Sequence, residues 1–432
     1  MKAIKELKNF ILLWSTQSLS QLGSAMTNFA LVIYLYEKTG SALQTALLSI
    51  CSYAPYVIMS IFAGALSDRW DKRKVMLVCD VIAAMCTVAV FVLIHTDLLM
   101  PWHMYVLNAV NGLMNTVQQP ASDVSMSLIT PKEYYQKTSG MRSFTNSLVT
   151  ILTPVIATVS LSFFGIGAVI LVDLITFLIA FLVLLFFIRI PEVERNAQSR
   201  KEPILQAAKG GLHYLNENRL VLKLILFLAG INFVSSAFNA TLPAMILPRA
   251  NGGELVLGTV QSCAGIATLI GSMIVTLMPA PKNRIRVICV TLLISMGTEN
   301  FILAFCHTPF MWCVGQIFGW LVIPLMGANL DVVLRTNIPV HMQGRVFSCR
   351  NTLQFFTIPI GNFLGGFLTD EVFEPLMARQ SVENFLSALF GVGKGSGASM
   401  MFGILGITGV MICLVFWYIL RKEIIQPENN IK

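Results

Sequence analysis

Twelve apolar stretches run the length of the sequence, near 10–36, 43–66, 75–94, 101–127, 141–164, 166–188, 221–248, 255–279, 286–305, 308–331, 347–369 and 400–420. As helices rising about 1.5 Å per residue, each is long enough to cross about 30 Å of hydrocarbon. Inside a bilayer the backbone finds no water, so such a run has to satisfy its own hydrogen bonds as a helix. The pattern predicts an all-α integral membrane protein with twelve transmembrane helices. Composition agrees, since only 12% of residues are charged, about half the share in soluble domains. That excludes a water-soluble enzyme, a disordered chain and a disulfide scaffold. The first stretch is too long for a cleavable signal peptide, lacks a small-residue cleavage site and is followed by another span.

The basic residues set the expected topology. If the connecting segments are counted alternately, 26 of the 30 Lys and Arg residues fall on one side together with both termini. The other side holds only Lys38, Arg249, Arg379 and Lys394. The positive-inside rule makes the basic side cytoplasmic. The formal charge of +8 then follows from membrane topology and implies no nucleic-acid partner. The nine cysteines are odd in number, lie mostly in apolar runs and form no CxxC pair. They read as small buried hydrophobes. Cys306, His307 and Cys313 cluster without a second ligand pair at zinc spacing, so no metal and no cofactor is expected.

A polar, basic segment at 189–220 divides the chain into 1–188 and 221–432, with six spans each. Within it, 203–218 has the pattern of a short amphipathic helix lying on the membrane surface. The halves echo each other. Ser24-x-x-x-Asn28 with Leu31 returns as Ser235-x-x-x-Asn239 with Leu242, Asp123 with Pro131 as Asp331 with Pro339, and Asn146 with Pro154 as Asn351 with Pro359. Three matches in order at nearly one offset indicate a duplicated six-helix unit, the build of a secondary transporter. The outer segment 371–398 contains Gly-Val-Gly-Lys-Gly-Ser, which lacks the first glycine and the Ser/Thr of a phosphate loop and reads as a flexible loop.

Residues 64–74 read Gly-Ala-Leu-Ser-Asp-Arg-Trp-Asp-Lys-Arg-Lys. This resembles the signature loop of the major facilitator superfamily and falls where that family has it, between spans 2 and 3. The segments 34–42, Gln119-Pro120-Ala121, Val172-Asp173, Arg189-Ile190-Pro191 and 344–348 are similar to the bacterial macrolide-efflux branch. The resemblance implies two bundles rocking about a central cavity lined by spans 1, 4, 7 and 10. It also implies drug export driven by protons, with the chain acting as a monomer.

Candidate functional residues fall into four groups. Gly64, Asp68, Arg69, Lys72 and Arg73, with Asp123 and its repeat partner Asp331, match an inner-face latch in the family. Their alternative reading is a topology signal, which gains little from the acidic members. Asp331 has Arg335 and Arg345 within reach along the chain. Polar stripes lie on span 1 (Gln17, Gln21, Ser24, Asn28), span 4 (Asn108, Asn111, Asn115, Gln118, Gln119, Ser122) and span 7 (Asn232, Ser235, Ser236, Asn239). Amides facing lipid are costly, so the stripes face a substrate cavity or hydrogen-bond to neighbouring helices. Intramembrane acids are few. Asp173 and Glu299 are the deepest and are the proton-coupling candidates, or else structural hydrogen-bond acceptors, while Asp80 lies near the inner end of span 3. Pro154 and Pro359 are candidate helix hinges.

The expected activity is export of amphipathic small molecules across a bacterial plasma membrane by proton antiport. The alternatives are export of an endogenous product such as a siderophore, or a non-transporting sensor. No HExxH, GxSxG or acid–base cluster at a membrane face indicates an enzyme.

Overall fold

The computed structural model describes residues 7–131, 134–190, 204–279, 281–381 and 384–425. Side chains of residues 60–69 lie outside the described set, and with them Gly64, Asp68 and Arg69. So do the side chains of Arg335 and Arg345.

Every apolar stretch is helical. Five helices cover the first half: α1 Lys8–Thr39, α2 Ala42–Arg69, α3 Lys72–His95, α4 Pro101–Leu128 and α5 Tyr135–Phe186. The last carries two expected spans in one run, bent at Gly165, whose φ of 75° is a left-handed value that suits glycine. α6, Ile204–Glu217, covers the expected amphipathic segment. The second half holds α7 Arg219–Ile246, α8 Glu254–Leu277, α9 Arg284–Phe305, α10 Pro309–Leu321, α11 Ile323–Asn337, α12 Val340–Phe355 and α13 Thr357–Phe367. After a π-helical turn at Leu368–Phe373 come α14 Glu374–Ala378, α15 Phe385–Phe390, α16 Ser396–Ile419 and α17 Arg421–Ile425. Among the described residues no strand occurs. Among the described residues, eight helices are apolar and long enough to cross a membrane by those criteria alone.

Two expected spans are broken. Stretch 308–331 is split at Val322 between α10 and α11, and 347–369 at Phe356 between α12 and α13. Pro324 and Pro359 explain the breaks, because a proline offers no N–H to the carbonyl four residues back. α5, in contrast, runs on through Pro154.

The chain forms two compact units, 1–35 with 51–206 and 36–50 with 207–432. In the first, Phe10, Leu13, Met76, Ala121 and Leu184 pack into one buried cluster. In the second, Phe227 stacks on Phe416 at 5.0 Å and Phe238 meets Phe402 edge-on at 4.9 Å. Large apolar side chains also line the outside, including Phe163, Phe164 and Leu277. An outer surface this apolar suits lipid and not water.

Candidate functional site

The first unit brings the span 1 and span 4 stripes onto a framework of buried polar groups. On α1, Gln21, Ser24 and Asn28 are exposed, spaced three and four residues apart and so on one face. On α4, Asn115 and Gln119 are exposed, while Asn108, Asn111, Gln118 and Ser122 are half-buried. Behind these faces sit two carboxyls. Asp173 of α5 is only 4% exposed and accepts the Ser24 hydroxyl at 2.9 Å. Asp80 of α3 accepts Gln118 Nε2 at 2.6 Å, and Gln17 of α1 lies beside the same carboxyl. Thus Gln17, Gln118 and Ser24 each face a carboxyl as well as belonging to a stripe.

At one end of this unit, Asp123 forms an ion pair with Arg142 of α5, a partner the sequence reading did not name. Arg73 donates from Nε to the Leu184 carbonyl at 3.2 Å and from Nη2 to that of Leu185, in the last turn of α5. Asp71, also missed, is the N-cap of α3. Its carboxylate accepts Arg73 N at 2.9 Å and Lys74 N at 3.2 Å, satisfying orphan donors of the first turn. An Asp one residue before a basic, apolar run was the available signal. Lys72 donates to the Trp70 carbonyl at 3.2 Å.

In the second unit the span 7 stripe divides. Asn239 is exposed. Asn232 donates to the Gln354 carbonyl of α12 at 3.1 Å. Ser236 is buried and bonds back to Asn232 O at 2.7 Å beneath Gly361. A Cβ on Gly361 would come within 2.2 Å of Ser236 Oγ and 2.3 Å of Phe233 O, so α7 and α13 approach as closely as glycine allows. Asn232 therefore makes the interhelical hydrogen bond that was the alternative reading of this stripe, while Ser236 bonds within α7 and packs against Gly361 of α13.

Glu299 of α9 is 5% exposed and accepts Trp320 Nε1 of α10 at 3.0 Å. Asp331 is exposed and faces Arg350, whose Nε donates to Gln354 Oε1 at 3.0 Å. The charge of Asp331 acts on Arg350, and no spacing rule singled Arg350 out.

Among the described residues of the 371–398 segment, the glycine-rich turn is fixed by Glu374, which the sequence did not single out, and by Arg249, read in the sequence only as a topology signal, which corrects the flexible-loop expectation. Glu374 Oε1 accepts Gly395 N at 3.0 Å and Ala398 N at 3.1 Å, capping α16. Arg249 Nη2 donates to Phe390 O, Gly395 O and Ser399 Oγ at 3.2, 3.1 and 2.6 Å. Arg249 Nη1 lies 3.4 Å from His307 Nδ1. Burial and the adjacent Arg249 charge hold His307 below the ordinary imidazole value. Burial raises the Glu374 carboxyl, against the pull of its backbone donors and Arg249. Asp370 accepts Ser41 Oγ at 2.6 Å, Ala42 N at 3.0 Å and Leu43 N at 2.8 Å, capping α2 from 329 residues away.

A multi-pass helical chain with buried carboxyls behind amide-lined helix faces is a membrane carrier in its class. The chain belongs to the Major Facilitator Superfamily, whose family model matches residues 13–361. Its fold is accordingly all-α, with twelve membrane-crossing helices in two six-helix bundles, and it is a transporter and not an enzyme. It is 25% identical over 367 residues to macrolide efflux protein A of Streptococcus pyogenes, covering 84% of this chain and 90% of that one. It is 20% identical over 424 residues to the staphyloferrin A transporter of Staphylococcus aureus, covering 96% and 98%. Among solved structures it resembles a bacterial homologue of the human lysosomal transporter Spinster, in an inward-facing conformation. That likeness has a TM-score of 0.68 at 14% identity, over 97% of this chain and 98% of the other.

Proposed function

We propose that the chain is a secondary active exporter of amphipathic small molecules of the macrolide kind. It works by proton antiport in a bacterial plasma membrane, with both termini cytoplasmic and the monomer as the working unit. The halves 1–188 and 221–432, joined by 189–220, are the bodies that alternate access. The observation that carries this reading is the exposed polar face of α1 and α4, with Gln21, Ser24, Asn28, Asn115 and Gln119 open and uncharged. Amides and hydroxyls can bind a bulky, polar but uncharged or cationic molecule, and they offer an anion no counter-charge. Asn239 supplies the corresponding position on α7. Asp173 and Glu299 are the acids available for proton exchange, each held by a neutral donor. Gly64, Asp68, Arg69, Lys72, Arg73, Asp123 and Asp331 serve as the inner-face latch, and the break before Pro359 as a hinge. The similarity to macrolide efflux protein A supports the substrate class.

The test is accumulation of 14- and 15-membered macrolides in everted vesicles under an imposed inside-acid gradient. Uptake is expected to disappear with a protonophore. Absence of uptake across a broad drug panel overturns the drug reading. The second reading, export of an endogenous siderophore-like product, is favoured by the end-to-end similarity to the staphyloferrin A transporter. It predicts vesicle uptake of such a product in place of drugs.

A further inference from the structure

Among the described residues, one buried side-chain carboxylate oxygen has no hydrogen-bond partner, and it is Asp80 Oδ2. Its sister Oδ1 accepts Gln118 Nε2 at 2.6 Å. Gln17 lies beside the carboxyl from α1, and its Nε2 is likewise buried and unpartnered. A donor and an acceptor thus lie side by side, without a formed hydrogen bond between them, where α1, α3 and α4 converge. No Lys or Arg pairs with Asp80 among the described residues. On α3 its titratable neighbours are Cys79 and, two turns back, Arg73, which is engaged by the Leu184 and Leu185 carbonyls. On α4 the nearest charge is Asp123, paired with Arg142 of α5. The acid of α5, Asp173, is held by Ser24. On α1 no charged residue lies between Lys8 and Glu37.

A bare carboxylate oxygen in an apolar interior is expensive, and nothing cationic offsets it here. A proton on Oδ2 removes the charge. A glutamine amide is both donor and acceptor, so it can serve either state. With Asp80 ionised, Gln17 and Gln118 both donate. With Asp80 protonated, the Gln17 amide turns over and its Oε1 accepts the new O–H, while Gln118 still donates to Oδ1. Both glutamines belong to the stripes assigned to substrate, so the change of proton state reorients one of them, Gln17, in the cavity wall.

We propose that Asp80, Gln17 and Gln118 form a reversible proton-binding site of the first unit that couples proton occupancy to the substrate-facing amides. The coupling role rests on the antiport reading above, and it adds an acid to Asp173 and Glu299.

The test is infrared difference spectroscopy of the full-length protein in lipid vesicles as the pH is stepped. The wild type is expected to show a protonated-carboxyl C=O component that is absent in Asp80→Asn and retained in Asp173→Asn. Gln118→Leu keeps the carboxyl but removes the Oδ1 donor, so the component is expected to remain and move to higher frequency. A full band in Asp80→Asn, or an unmoved one in Gln118→Leu, overturns the site. In vesicles, Asp80→Asn is expected to lower gradient-driven accumulation to the level seen with protonophore, and wild-type accumulation in this variant overturns the coupling role. A wild type that titrates at Asp80 yet shows no gradient-driven uptake refutes the antiport reading and leaves the proton site standing.

Discussion

Ser24 donates its hydroxyl to Asp173 Oδ1 at 2.9 Å, joining the exposed face of α1 to a buried carboxyl of α5. The contact is tight because Gly23 lies against the same turn, where a Cβ would come within 2.5 Å of Thr176 Oγ1. A residue of the polar stripe is thus also the donor that makes Asp173 tolerable in the membrane interior.

Ser24→Ala removes that donor and leaves the buried Oδ1 without it. A loss of about 1 kcal/mol is expected, in the range for one interhelical hydrogen bond or one stranded acceptor. Thermal unfolding in detergent measures it. Ser24→Thr, which keeps the hydroxyl, is expected to retain most of the stability.

Asp370→Ala strips the first turn of α2 of its acceptor. Three hydrogen bonds are lost, at 2.6, 3.0 and 2.8 Å, with an expected cost of about 2 kcal/mol. The signature is local: amide hydrogen exchange at Ala42 and Leu43 should accelerate while that of α9 stays unchanged. Asp370→Asn, which still accepts, should fall between.

Gly361→Ala has no room. The new methyl would overlap Phe233 O, backbone that cannot rotate away, as well as Ser236 Oγ. The expected destabilisation is about 2 kcal/mol or more, the scale of an overpacked site. Ser236→Ala in the same chain should not rescue it, since the Phe233 carbonyl remains. A melting series of the single and double variants decides this.

The cluster of His307, Arg249 and Glu374 predicts an acid limit. His307 has its value held down by burial and by Arg249, so the folded state resists protonation and the unfolded state does not. Stability from this residue is complete above the ordinary imidazole value of about 6.5 and is lost as pH falls through the lower, folded value. Glu374, raised by burial, acts with the opposite sign: its contribution is present at acid pH and is lost as pH rises through its folded value. The melting temperature of His307→Gln should therefore decline less than that of the wild type as the pH is lowered from neutral toward the carboxylate range. Parallel curves for the two proteins would refute this assignment.

The helical class, the positions of the spans, the duplicated halves and the signature loop were all legible in the sequence, because each is a local or periodic property. Hydrocarbon thickness sets a run length, and a helix sets a repeat of 3.6 residues. Both are read along the chain without knowing what lies beside it. The amphipathic segment before α7 and the proline that separates α12 from α13 were visible for the same reason. Partnership was not. Asp80 and Gln118, Ser24 and Asp173, Asp370 and Ser41, Arg249 and Phe390 are separated by 38 to 329 residues, and no spacing rule reaches that far. Of the span 7 stripe, the composition of the helix could not tell that Asn232 and Ser236 turn toward α12 and α13 while Asn239 stays open. A polar side chain in a membrane has to find a partner, and the sequence states that need. Which partner satisfies it depends on which helices pack together and at what rotation, and only the tertiary structure decides that.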